Sequence, residues 1–282
     1  MTSCALGNME KLGEIAGIPL TRDICLWYDI SVGVVLKTAL FYRGELMNKK
    51  IFSQEGLKIL ACVTMLLDHI GAVFVPSMAN YNVYYALRII GRLAFPIYCF
   101  LLAEGVAHTK NPVKYGLRLL LGVFLAELPF DLAFSGGLDW SSQSVMVTLI
   151  LGFGMALIMN KLDRTKLVPV IIFGFLAELF QCDYGIWGIA MIALFVMTRE
   201  RKDRNNLQLI GMLIVCYFMN SARIPIFGIR VPIEMFAVLA LIPIFLYSGK
   251  KSTGSKVVQT VFYLFYPVHL LVLYILSQML AV

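Results

Sequence analysis

The sequence predicts an all-α membrane protein, a polytopic bundle of about nine transmembrane helices. Three observations carry this. The first is composition: the 282 residues are 60% hydrophobic and 15% charged, with a mean hydropathy of +0.81. Soluble domains carry about 25% charged residues, so a chain this apolar lacks the residues to cover itself in water. The second is clustering. Apolar stretches lie near 56–76, 84–107, 115–134, 144–160, 167–181, 184–198, 207–220, 226–247 and 257–280. Several approach the ~20 residues that a bilayer crossing needs, and some are shorter. The third is the alternation of the loops. "MNKK" (47–50), "HTKNPVKYGLR" (108–118), "KLDRTK" (161–166), "RERKDR" (199–204) and "GKKSTGSK" (249–256) are basic. The loops between them, "SMANYNVY", "SGGLDWSSQ", "QCDYG" and "NSARIP", hold one Arg in total. The positive-inside rule then places 47–50 in the cytoplasm and Val282 outside.

Residues 1–46 fit this scheme poorly. "LWYDISVGVVLKTALFY" is apolar but interrupted by Asp29 and Lys37, and it lacks the ordered regions of a signal peptide. It reads as an interfacial amphipathic segment or as an upstream reading of the gene, with Met47 a candidate start. The organisation is thus an N-terminal extension, 1–46, and a single membrane domain, 47–282. No function is placed in the extension.

Composition also excludes function classes. The net charge of +7 sits in loops, and no zinc-finger, RNP-like or P-loop pattern is present, so no nucleic-acid partner is expected. Cysteines 4, 25, 62, 99, 182 and 216 show no CxxC spacing and lie mostly in or beside apolar runs. They read as packing residues, and no metal is expected.

The informative residues are those that lipid should reject. An ionisable group near the bilayer centre costs at least ~2.5–3.5 kcal/mol, so it faces the bundle interior and has a partner or a task. The candidates are Lys58, Asp68, His69, Arg88, Arg92, Glu104, Glu127, Asp131, Glu178, Asp183, Glu234 and His269. Lys58 and His69 are eleven residues apart, which on a helix is ~16 Å of depth and nearly the same face. Arg88 and Arg92 form an i, i+4 pair on one face. Glu127, Asp131 and Glu178 fall in the outer halves of their spans, near the depth of His69. One reading gathers these groups into a site. The other has the arginines neutralise Glu127, Asp131 or Glu178 and hold the bundle together. Glu104, near the cytoplasmic end, reads as structural, and His108 as solvated. Glu234 follows "RVPI" and is a place for a broken helix. His269, after Pro267-Val268, suits either role.

His69 is the side chain suited to move protons at neutral pH. Cys62, two turns earlier, makes with it a poor metal site. Asp68 and His69 are adjacent in sequence and so do not face each other on a helix. "FLAELPFD" and "FLAELFQCD" share an L-A-E core followed by an Asp, a short internal similarity at the ends of two outward-running spans.

The spacing Lys58-x10-His69 resembles the basic residue, ten positions and histidine of acyltransferase-3-type membrane enzymes. A wider similarity is to the TraX family, named for a conjugative-pilus protein that acetylates the N-terminus of pilin. It is carried by "GLKILACVTMLLDHIGAVF", "LRIIGRLAFPIYCFLLAEGVAHTKNPVKYGLRLL", "AELPFDLAF" and "LFYPVHLLVL", over about residues 55–282. The resemblance implies a transmembrane acyltransferase fold in the bacterial cytoplasmic membrane with acetyl-CoA as donor. It implies that His69 is the catalytic histidine, Asp68 belongs to the same motif, Arg88 and Arg92 are a paired-arginine motif, and His269 completes a Tyr-Pro-x-His signature. It does not carry pilin over as the substrate. The acceptor stays open between a peptide N-terminus, an amino sugar and a glycan hydroxyl.

The charge layout agrees with a polyanionic donor entering from the cytoplasm. Lys58, with Lys110, Lys114 and Arg118, forms a basic rim for phosphates. His69 acts as general base or is itself acetylated and passes the group on. Arg88 and Arg92 hold the donor or stabilise the oxyanion, since arginine keeps its proton. Two other classes compete. A transporter or channel would use the buried charges as a path, and a scaffold would use them only for helix association.

Overall fold

The structure, a computed structural model, describes residues 50–75, 80–162, 165–219, 221–226, 229–250 and 256–280. The expectations for residues 1–46, for Met47 and for Val282 lie outside the described residues.

Local signals set the helix starts. Helix α1 (Gln54–Phe74) begins where Ser53 Oγ accepts the Gly56 N–H at 3.1 Å. Helix α2 (Tyr81–Gly91) begins at Asn80, which caps Val83. Both caps satisfy backbone donors that a helix start leaves free. Helix α3 (Ala94–His108) follows α2 almost directly. Helix α4 (Pro112–Ser135) has Pro112 at its first position under an Asn111 cap, and ends at Gly136 with φ 71°. Then come α5 (Val145–Met159), α6 (Leu167–Leu179), α7 (Gly185–Thr198) and α8 (Arg204–Phe218). Strands β1 (Arg223–Ile226) and β2 (Ile229–Pro232) pair as a two-stranded sheet. A 3₁₀ helix (Ile233–Ala240) runs into the short α9 (Leu241–Phe245), and α10 (Lys256–Leu280) closes the chain.

Among the described residues three helical stretches are long and apolar enough to cross a membrane: Gln54–Phe74, Tyr81–His108 and Val258–Leu280. They mark a membrane protein. Val145–Met159, Leu167–Leu179, Gly185–Thr198 and Ile233–Phe245 are apolar but shorter. At ~1.5 Å per residue, a helix the length of α5 spans ~22 Å of a ~30 Å hydrocarbon core. By length and composition, three of the described helical stretches suffice to cross a membrane on their own.

Two expected spans are also interrupted. The span at 84–107 breaks into α2 and α3 around Arg92-Leu93. Pro96 is the cause: it has no N–H to give the Arg92 carbonyl one turn back. The span at 226–247 is not a continuous helix. Its first part is strand, ending at Pro232, and its middle is 3₁₀. A proline that fixes φ and lacks a donor suits a strand end better than a helix interior.

Helix α3 is the centre of the bundle. It packs on α1, α5, α7 and the 3₁₀ helix, and most of its residues are buried, from Ala94 through Val106. Helix α10 lies beside α1 and α4. The outward faces of α4 and α10 are apolar: Leu117, Leu121, Phe124, Val261 and Leu276 are exposed, as a lipid-facing surface requires.

The L-A-E similarity has a structural counterpart. Glu127, near the end of α4, accepts the Ser144 Oγ–H at 2.6 Å and its N–H at 3.2 Å, at the start of α5. Glu178, at the end of α6, accepts the Ile186 N–H at 2.7 Å, at the start of α7. Each carboxylate thus sits at the positive N-terminus of the helix that follows its own. The two turns are tied together, since Gln143 N–H donates to Gln181 O and Asp183 N–H to Gln143 O, at 3.0 and 2.9 Å.

Close packing at the α1–α2 contact depends on glycine. A Cβ on Gly91 would overlap the Asp68 side chain, and one on Gly71 would lie 2.8 Å from Leu87. Gly91→Ala is therefore expected to destabilise the purified protein by the ~1–3 kcal/mol typical of overpacking, read as a lower melting temperature. Gly137→Ala, where an added Cβ meets nothing within 4 Å, is the control. Equal melting temperatures for the two variants would refute the close approach.

Candidate active site

Asp68 organises the centre. Its Oδ2 accepts from Arg88 Nη1 at 2.6 Å and its Oδ1 from Arg92 Nη2 at 2.7 Å. Arg92 also donates from Nη1 to Glu234 Oε1 at 2.6 Å and from Nε to the Arg88 carbonyl at 3.3 Å. Asp68, Arg92 and Glu234 are all buried. Two arginines and two carboxylates thus close a network whose short, charge-assisted bonds offset part of the desolvation cost. The arginines do not turn to Glu127, Asp131 or Glu178. Glu234 opens the 3₁₀ helix, so the interrupted span is the source of the fourth charge.

His69, one residue on, points elsewhere on α1 and meets His269 of α10. Its Nδ1 lies 2.7 Å from His269 Nε2, and His269 Nδ1 lies 2.6 Å from the Phe265 carbonyl oxygen. A carbonyl only accepts, so His269 Nδ1 carries a hydrogen. With the His269 ring neutral, its Nε2 is an acceptor, and His69 Nδ1 must donate to it. His69 Nε2 is then left with its lone pair free, the form a general base needs. The two ring planes are parallel within 2°, with centroids 4.9 Å apart. Phe134 and Tyr266 stand edge-on to His69, with centroids 5.5 and 6.0 Å away, which fixes the ring in its plane.

Two cavities meet here. The smaller, about 210 Å³, is lined by His69, Asp68, Arg88, Arg92, Asp183 and Tyr184, among others. The larger, about 390 Å³, is lined by Lys58, Glu104, His108, Tyr115, Arg118 and Tyr263, among others. Lys58 Nζ lies 5.4 Å from the centroid of the Phe262 ring. Lys58 and His69 therefore share the α10-facing side of α1, at opposite ends of the site. Lys110 and Lys114 do not line either cavity. Glu104 accepts from Arg199 Nε at 2.9 Å.

Of the other polar residues singled out, Glu127 and Glu178 cap helices, and Asp131 accepts the Asp139 N–H at 3.2 Å. None of the three lines the smaller cavity. Asp183 does line it, and among the described residues it forms no ion pair. Beside it, Tyr184 is held at φ 67° and stacks on Phe95 with centroids 3.8 Å apart. A tyrosine in the left-handed region is uncommon and clusters at functional sites. Nothing in a tyrosine's identity announces this, and Tyr98, between the cavities, is equally silent in sequence. Among the described residues no group of three or more His, Cys, Asp or Glu is placed to hold a metal.

Fold and site define a helical membrane protein with a buried charge network and a two-histidine centre. The family is shown by sequence: the profile of the TraX protein family matches residues 53–277, and the chain belongs to that family. It is 32% identical over 245 residues to the probable fimbrial assembly protein FimC, serogroup H1, of Dichelobacter nodosus, covering 80% of this chain and 97% of that protein. No solved structure matches the chain.

The network predicts an asymmetry between its arginines. Arg92→Met leaves Asp68 and Glu234 short of a buried partner and is expected to destabilise by ~3–5 kcal/mol. Arg88→Met should cost clearly less, because the Arg88 side chain is 24% exposed against 9% for Arg92. Thermal unfolding of both variants in one detergent checks this, and an equal loss would remove Arg92 from its central place.

Proposed function

We propose that the chain is an integral membrane acetyltransferase that moves an acetyl group from cytoplasmic acetyl-CoA to an amine or hydroxyl of an extracytoplasmic or membrane-embedded acceptor. The observation that carries the reading is the free Nε2 of His69, set by His269 and the Phe265 carbonyl, at the wall of a polar chamber that backs onto a larger basic and aromatic cavity. The family and the fimbrial-assembly name of its relative support a role on surface-exported material.

In this reading the larger cavity takes acetyl-CoA. Lys58 and Arg118 face its phosphates, and the aromatic rings of Tyr115 and Tyr263 suit its adenine. The thioester reaches toward His69, ~16 Å deeper than Lys58 along α1. The acceptor occupies the smaller chamber. Its N–H or O–H proton passes to His69 Nε2 as the nitrogen or oxygen attacks the thioester carbonyl. The carbonyl oxygen gains negative charge, and Arg88, the more exposed arginine, stabilises it. The C–S bond then breaks, the acyl–acceptor bond is complete, and the CoA thiolate takes the proton from His69. Arg92, already bound to Asp68, Glu234 and the Arg88 carbonyl, positions Arg88 and α2. A histidine relay uses the same geometry, with acetyl carried on Nε2 between two transfers. The reading is completed by a nine-span topology in the bacterial cytoplasmic membrane, with basic loops inside and the C-terminus outside.

Calorimetry with acetyl-CoA and the detergent-purified protein tests this directly. His69→Ala should retain binding while acetyl transfer falls by about 10²–10⁴-fold. Lys58→Met should weaken binding about tenfold or more, as the loss of a hydrogen bond to a charged group implies. Absence of saturable binding to the folded wild type would end the acyltransferase reading. The two histidines separate as well. His269→Leu should lower transfer nearly as much as His69→Ala, and His269→Gln, whose amide oxygen can still accept from His69, should recover part of it. If Leu and Gln behave alike, His269 does not act by orienting His69.

A further inference from the structure

The two cavities share four lining residues: Met65 of α1, Tyr98 of α3, Val145 of α5 and Tyr266 of α10. These side chains, a layer drawn from four helices, are the boundary that the two cavities have in common. Met65 and Tyr266 are buried. The Tyr98 hydroxyl is tied to Cys62 Sγ at 3.2 Å, and Tyr266 stands edge-on to both histidines, 6.0 and 5.7 Å from their centroids. The layer therefore touches the base on one side and the larger cavity on the other.

We propose that these four residues are the specificity-determining passage for the acyl group. This rests on the acetyltransferase reading and adds to it which residues decide the acyl size. A thioester held in the larger cavity reaches His69 Nε2 only between these side chains. The CoA body stays behind them, and whatever the acyl group adds beyond the carbonyl must fit among them or in the smaller chamber, which the acceptor also needs. Close packing makes the layer sensitive to single methylenes, and an apolar wall of this kind discriminates by about 10- to 200-fold per methylene at most. Small acyl groups pass and long ones are held back with their CoA still bound. Binding is thus blind to acyl length, and transfer is not. Tyr98 sets its ring across the passage, with its hydroxyl turned to Cys62 Sγ. Val145, at the first position of α5, sets the free edge.

The experiment compares acetyl-, butyryl- and hexanoyl-CoA on the full-length purified protein, with hydroxylamine as a small surrogate acceptor. Binding is read by calorimetry and transfer by hydroxamate formation above the enzyme-free rate. Wild type should bind all three alike and favour acetyl over hexanoyl in transfer by at least about tenfold. Met65→Ala and Val145→Ala should reduce that preference to about threefold or less, and Tyr98→Phe, which keeps the ring, should retain most of it. Val145→Leu guards against variants that fail to fold: narrowing the passage should lower acetyl transfer with acetyl-CoA affinity unchanged. Variants that transfer acetyl yet keep the wild-type preference would overturn the passage alone. A wild type that binds acetyl-CoA but shows no length preference would do the same. A folded wild type that binds none of the three would overturn the acetyltransferase reading, and the passage with it.

Discussion

Asp68 holding two arginines is the interaction on which the rest of the centre depends. A carboxylate buried within an apolar bundle is tolerable only when its lone pairs are filled. Arg88 and Arg92 fill them from α2, and Arg92 reaches on to Glu234. This sets conditions elsewhere. Helix α2 must come close, so the facing position is Gly91, where no side chain fits. The chain must turn after Arg92, and Pro96 provides the break. The fourth charge must arrive at a helix start, and the interrupted segment after Pro232 supplies it.

The same constraint aims His69. Residues adjacent on a helix point about 100° apart, so fixing Asp68 toward α2 leaves His69 toward α10. There the partner is another histidine, itself anchored to a backbone carbonyl. The ring that orients His69 is thus neutral, and no additional charge is buried beside it. The charge network and the histidine pair stay separate, although Asp68 and His69 are neighbours in sequence.

Depth alone does not distinguish a catalytic carboxylate from a structural one. Glu127 and Glu178 lie in the later parts of α4 and α6, and each is consumed by the N-terminus of the next helix. Their shared L-A-E setting is the trace of one supersecondary device used twice. Asp183, which reaches the chamber, sits in the second of these turns and is presented there by the strained backbone at Tyr184.

The sequence by itself determined the class of protein and the family, and it singled out polar residues that meet in the buried centre. Apolar composition cannot be satisfied in water, and charges in apolar spans must have partners, so Asp68, His69, Arg88, Arg92 and His269 are legible as one-dimensional exceptions. The Lys58–His69 face follows from helical periodicity alone. Pairing was not legible. That Arg92 takes Glu234, that His69 takes His269 and that Tyr98 stands between two cavities depend on contacts spanning up to 200 residues. Of the two breaks, the one beside Glu234 was legible in "RVPI", and the one at Arg92-Leu93 was not, because hydropathy averages over a proline that hydrogen bonding resolves. Only the tertiary structure decided which buried charges share a chamber and which cap a helix, since that is a matter of direction and distance, and a sequence holds neither.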